Sequence, residues 1–101
     1  MSKKSENYII EGETTSGIKF RVDKRLLNDS RFLHYAVMMQ DKNDKMKALK
    51  AMFEMYGLLF GSQEGLIAFE NAVAEVNGGI CSQEMLFAEL NEILTVLKAK
   101  N

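Results

Sequence analysis

Two rhythms of apolar positions follow one another along the chain. In "GIKFRV", Ile18, Phe20 and Val22 alternate with Lys19 and Arg21, the period of a strand with one buried face. The preceding "NYIIEG" reads as its partner, and "GETTSG" joins the two, so the pattern predicts a β-hairpin over residues 7–22. Gly12 and Gly17 bracket the loop and are expected to take positive φ, while its threonines and Ser16 satisfy nearby backbone groups. An isolated hairpin is marginal in water, so its apolar face must lie on helices.

From residue 23 onward the apolar positions recur every three or four residues. "FLHYAVMM" predicts a short helix from Arg31 to Gln40, buried on more than one side, which "QDKNDK" ends. Over residues 44–60 the apolar side chains cover more than half of the helical wheel, and only Lys47, Lys50 and Glu54 form a polar stripe. A helix of that kind is central or touches a partner. Gly61 and Ser62 write a stop and a new start into "LLFGSQE". A third helix over Gln63 to Val76 is expected to bury Leu66, Phe69, Val73 and Val76, with Ile67 on the polar side. After "NGGIC", Ser82 caps a last helix whose Leu86, Phe87, Leu90, Ile93, Leu94 and Leu97 share one face.

The fold expected is therefore mainly α (α+β), an N-terminal β-hairpin packed on a bundle of about four helices. Residues 1–6 form a flexible N-terminus, 7–98 one domain (7–22 hairpin, 23–98 helical) and 99–101 a tail. The surplus apolar arc of the second helix, at Met52, Met55 and Leu59, together with Ile67 on the third, is the expected client or self-association surface, because such an arc left bare is a patch that monomers seldom show.

Composition narrows the function more by exclusion than by indication. At 101 residues a core forms without staples, and the one cysteine, Cys81, excludes an internal disulfide and leans towards a reducing cytoplasm. No apolar run approaches the roughly 20 residues of a bilayer crossing, and no signal peptide is expected. Net charge is −1, against general nucleic-acid binding, but it is unevenly spread: residues 1–61 carry +3 and residues 62–101 carry −4.

Candidate chemistry is thin. His34 is the only histidine, and no partner for a triad or a histidine-pair metal site is marked. Cys81 beside a helix start has one weak hint of activation, a thiol pKa lowered by the helix dipole. "DKNDKMKALKAM" opens like a calcium loop, but Lys45 and Met52 stand where ligands belong. No phosphate-cradling glycine motif occurs. Lys42, Lys45, Lys47 and Lys50 interleave with Asp41, Asp44 and Glu54 and lack an aromatic stacking platform, so they read as a solvated face. No catalytic residue, cofactor or metal is expected. The distinctive residue is methionine, seven with the initiator, whose adaptable side chain is over-used on surfaces that accept varied greasy helices.

Taken together, "TTSGIKFRVDKRLLND", the first helix, "LLFGSQE" and "NGGICSQEMLFAELNEIL" resemble the tail assembly chaperones of long-tailed phages and prophages of Gram-positive bacteria. The likeness covers about residues 13–98, at Gly17, Phe20, Val22, Asp29, Leu33, Leu59, Gly61, Gln63, Gly78 and Leu90. The chain departs from the family picture in the basic start of its second helix and in its methionine load. The resemblance implies a non-enzymatic factor of the host cytoplasm that coats the helical tape measure protein, keeps it soluble and helps recruit tail tube (major tail) subunits. It leaves room for a homo-oligomer and for a frameshifted longer form, and implies neither nucleic acid nor membrane as partner. The alternative is a structural adaptor of the head-to-tail joining type that stays in the particle; a small enzyme using Cys81 or His34 is a third class.

Overall fold

The computed structural model describes residues 8–100; the expected flexible segment 1–6 and Asn101 lie outside the described residues. Strand β1 (Ile9–Glu13) pairs antiparallel with β2 (Lys19–Asp23), Ile10 opposite Val22 and Gly12 opposite Phe20. A 3-10 turn (Lys24–Asn28) leads into α1 (Ser30–Met38), α2 (Lys45–Leu59), α3 (Gln63–Val76) and α4 (Gln83–Lys100). The mainly helical architecture with an N-terminal hairpin matches the expectation. Residues 99 and 100 continue α4 and are not a separate tail.

The alternation in β2 does what its period demands: Ile18, Phe20 and Val22 are all buried, in one core cluster with residues of every helix. Gly12 plays a different part from the one expected. Only Gly17 of the bracketing pair has positive φ (+89°), whereas Gly12 sits in β1, where an added Cβ would lie 2.8 Å from Phe20 Cζ. Its missing side chain makes room for the Phe20 ring.

Two Asp-x-Arg steps turn the chain from sheet to helix. Asp23 Oδ1 accepts from the Arg25 amide at 2.9 Å, and Asp29 Oδ1 accepts from the Arg31 amide at 2.8 Å, each capping the element that follows. In both, the arginine side chain folds back on the same carboxylate, Nη2 to Oδ2 at 2.6 Å for Arg25 and 2.8 Å for Arg31. Arg25 also lies over the Tyr8 ring, 4.2 Å from its centre.

The Arg31 guanidinium, with the Arg31 amide, holds the Asp29 carboxyl down to about 2. A folded pKa below the unfolded one means that the ionised cap's contribution is full above about pH 4 and is lost as pH falls through about 2. Thermal melts between about pH 5 and pH 2 should therefore show a steeper acid loss of Tm for the parent than for Asp29→Asn, which keeps a capping oxygen without the titrating group. Equal slopes would remove this carboxylate from the acid response.

Helix α2 is the centre of the bundle, packed between α1 and α3. Asp44 caps it by accepting from the Lys47 amide at 3.0 Å. Gly61, at φ +86°, ends the segment as its sequence context predicts, and Ser62 accepts from the Gly65 amide at 3.0 Å to start α3. Phe60 and Phe69 stack across this corner with ring centres 4.4 Å apart. Ser82 caps α4 through the Met85 amide at 3.1 Å, and Leu86, Leu90, Ile93 and Leu97 form its buried stripe.

Candidate functional surfaces

The part of the wide apolar arc of α2 singled out as a partner surface is covered. Met52 and Met55 are each 5% exposed and Leu59 2%, so these three predicted partner-binding residues are core residues, a correction. The helix packs between α1 and α3 and its side chains join the common core, so the breadth of its apolar arc reflects a central place and leaves no surplus at these three positions. Ile67 differs: it is 54% exposed on the outer side of α3, as expected.

Bare apolar surface instead appears elsewhere. On α1 only Phe32 is buried, while Leu33 and Val37, four residues apart on one helix face, are 50% and 70% exposed; the expectation of a helix buried on several sides is corrected. Val76, expected in the α3 stripe, is half exposed at its end, next in sequence to the turn that carries exposed Ile80. Met46, at the start of α2, is 74% exposed, the barest of the large apolar side chains among the described residues.

Met46 belongs to a longer feature. With Leu49 and Phe53 it lines a shallow apolar depression bordered by Asp44, Lys47, Lys50 and Glu54. Leu49 and Phe53 also line a groove whose floor is buried Met52 and Leu86 and whose far side is Glu70, Asn71, Ala74, Cys81 and Gln83. The two concavities adjoin at Leu49 and Phe53, apolar on the α2 side and polar at Glu70, Asn71 and Gln83 on the far side.

Comparison with family models, with curated proteins and with solved structures finds no match. The functional reading therefore rests on the chain's own residues and pattern.

The surroundings of Cys81 and His34 are unlike. Burial, aided by the Glu70 charge, pushes the Cys81 thiol up, opposite to the activation its position suggested. His34 is exposed on α1, its ring edge-on to Tyr35 at 6.5 Å. Among the described residues no group of three or more His, Cys, Asp or Glu side chains is placed to hold a metal ion, and no helix is long and apolar enough to cross a membrane.

One arrangement escaped the sequence reading. The hairpin loop is latched to α4: Glu92 Oε1 accepts from the Thr15 amide (2.9 Å) and hydroxyl (3.0 Å), and Glu89 Oε2 accepts from the Ser16 hydroxyl at 2.9 Å. Only Thr14 works locally, its hydroxyl accepting from the Ile18 amide. Glu89 is 3% exposed, and its other oxygen, Oε1, has no hydrogen-bond partner. The signal was present: Glu89 stands three residues after Leu86 and four before Ile93, on the buried stripe. It orders the loop that seats the hairpin.

Proposed function

We propose that this chain is a non-enzymatic tail assembly chaperone that acts in the cytoplasm of a bacterial host, binding and solubilising a long helical tape measure protein and helping to recruit tail tube subunits. The sequence pattern supports the phage reading. The observation that carries the interaction reading is apolar surface left bare on a domain whose core is already filled: Leu33 and Val37 on α1, Met46 on α2 and Ile67 on α3. Separate apolar strips on different helices suit a long client that exposes many similar stripes, because each strip offers a place for one amphipathic segment.

Co-expression tests this directly. The soluble fraction of a tape measure protein should rise several-fold with the parent chain over an empty vector. It should fall back with the double variant Leu33→Asp/Val37→Asp, whose exposed positions tolerate charge without unfolding. No effect of the parent chain would overturn the reading, and stoichiometric recovery of the chain in purified particles would replace it with a retained structural adaptor.

A further inference from the structure

We propose that Asn77 is a site of spontaneous chemical modification: its carboxamide condenses with the backbone nitrogen of Gly78 to a succinimide, which water opens to aspartate or isoaspartate. The conversion loosens the turn between α3 and α4. Three observations meet there.

First, the sequence sets the nucleophile beside its target. Asn77 is the one asparagine of the chain that is followed by glycine. A side chain on the following residue crowds the attacking nitrogen and restricts the rotation that brings it to Cγ, and glycine imposes neither limit.

Second, that nitrogen is unengaged. Asn77 is the C-cap of α3, its amide donating to the Val73 and Ala74 carbonyls, and Gly79 donates to the Ala74 carbonyl at 2.7 Å in the manner of a Schellman motif. The companion bond of that motif, from Gly78 to Glu75, does not form, and the Gly78 N–H donates to no group among the described residues.

Third, the turn meets water and has room to move. Residues 75–80 are all exposed, and a Cβ added at Gly78 or Gly79 would meet nothing within 4 Å. The Asn77 carboxamide is held by Nδ2, which donates to the Ile80 carbonyl at 2.8 Å. Ring closure begins when that bond is released and the Asn77 Cα–C bond rotates from its folded ψ of 27°, so local opening of the turn gates the reaction.

The step balances without oxidation or reduction. Gly78 N gives up its proton and bonds to Asn77 Cγ, the Cγ–Nδ2 bond breaks, and the nitrogen leaves as ammonia with that proton. Water then adds to one of the two ring carbonyls. Addition at Cγ breaks the new bond and leaves aspartate, whereas addition at the main-chain carbonyl breaks the original peptide bond and routes the chain through Cγ as isoaspartate. Either product lacks the N–H that held the Ile80 carbonyl and places a negative charge at the end of α3, where the helix dipole is already negative. Isoaspartate also adds a carbon to the main chain, so the bond from Gly79 to Ala74 loses its register.

The experiment holds the full chain at physiological temperature and mildly alkaline pH, then cleaves it after glutamate, which frees residues 76–84 as a peptide whose single asparagine is Asn77. Mass spectrometry should show the amide-to-acid mass gain at position 77, at least about tenfold faster than at Asn28, Asn43, Asn71 or Asn91, none of which precedes a glycine. Both aspartate and isoaspartate should form, and Asn77→Gln should leave the peptide unconverted. The isoaspartate form, separated by ion exchange, should melt below the parent and exchange its Gly79 amide hydrogen faster.

Conversion no faster than at the other asparagines would overturn the site. Conversion to aspartate alone would overturn the succinimide, because direct hydrolysis of the side chain gives only that product. Equal melting and equal Gly79 exchange in the converted and unconverted chains would overturn the effect on the turn.

Discussion

Leu90→Asp is expected to unfold the domain, at a cost of at least about 4 kcal/mol. Leu90 is 1% exposed, one helical turn from Leu86 on the buried stripe of α4, and belongs to the cluster that also holds Val22, Phe32 and Met55. The substitution removes apolar contacts and places a carboxylate where water cannot reach it. A domain of this size has roughly 5–15 kcal/mol in hand, so the variant should populate unfolded chains under native conditions. Urea denaturation followed by circular dichroism checks it: the midpoint should collapse for Leu90→Asp, drop by the equivalent of about 2–5 kcal/mol for Leu90→Ala, and move little for Leu90→Met, which conserves volume. A midpoint for Leu90→Asp close to that of the parent would place this side chain outside the core.

The second large effect is a contrast between two residues that the wheel had grouped together. Met55→Asp should lower Tm by more than about 10 °C, because a side chain only 5% exposed in the middle of the central helix is replaced by an unpaired charge. Ile67→Asp should stay within about 0.5 kcal/mol of the parent, because Ile67 is 54% exposed and its neighbours on the outer face of α3, Glu64 and Asn71, already meet water. Parallel thermal melts read both. Similar losses in the two variants would mean that Ile67 is covered in solution, by a second copy or by a rearranged helix, whereas two intact folds would restore Met55 to the surface.

The latch between the hairpin loop and α4 adds a link that neither element implies alone. Thr15 and Ser16 reach side chains 77 and 73 residues further along the chain. The loop is thereby tied to the helix that completes the core, and the alternating face of β2 is held over it. Glu89 carries a cost for this role, since one of its oxygens is buried without a partner.

What the sequence by itself determined was local. The strand period of Ile18, Phe20 and Val22, the stop at Gly61, the caps at Ser62 and Ser82 and the stripe from Leu86 to Leu97 all depend on interactions over a few residues, which the order of side chains specifies directly. The tertiary structure decided what covers each face. A wheel gives the direction of a side chain but not the number of neighbours in that direction: α2, packed between α1 and α3, buries Met52, Met55 and Leu59, whereas α1, a short helix that buries only Phe32, leaves Leu33 and Val37 bare. The same limit hid the contact of Glu89 and Glu92 with the hairpin loop and the place of Gly12 under the Phe20 ring, because both join positions that only the folded chain brings together.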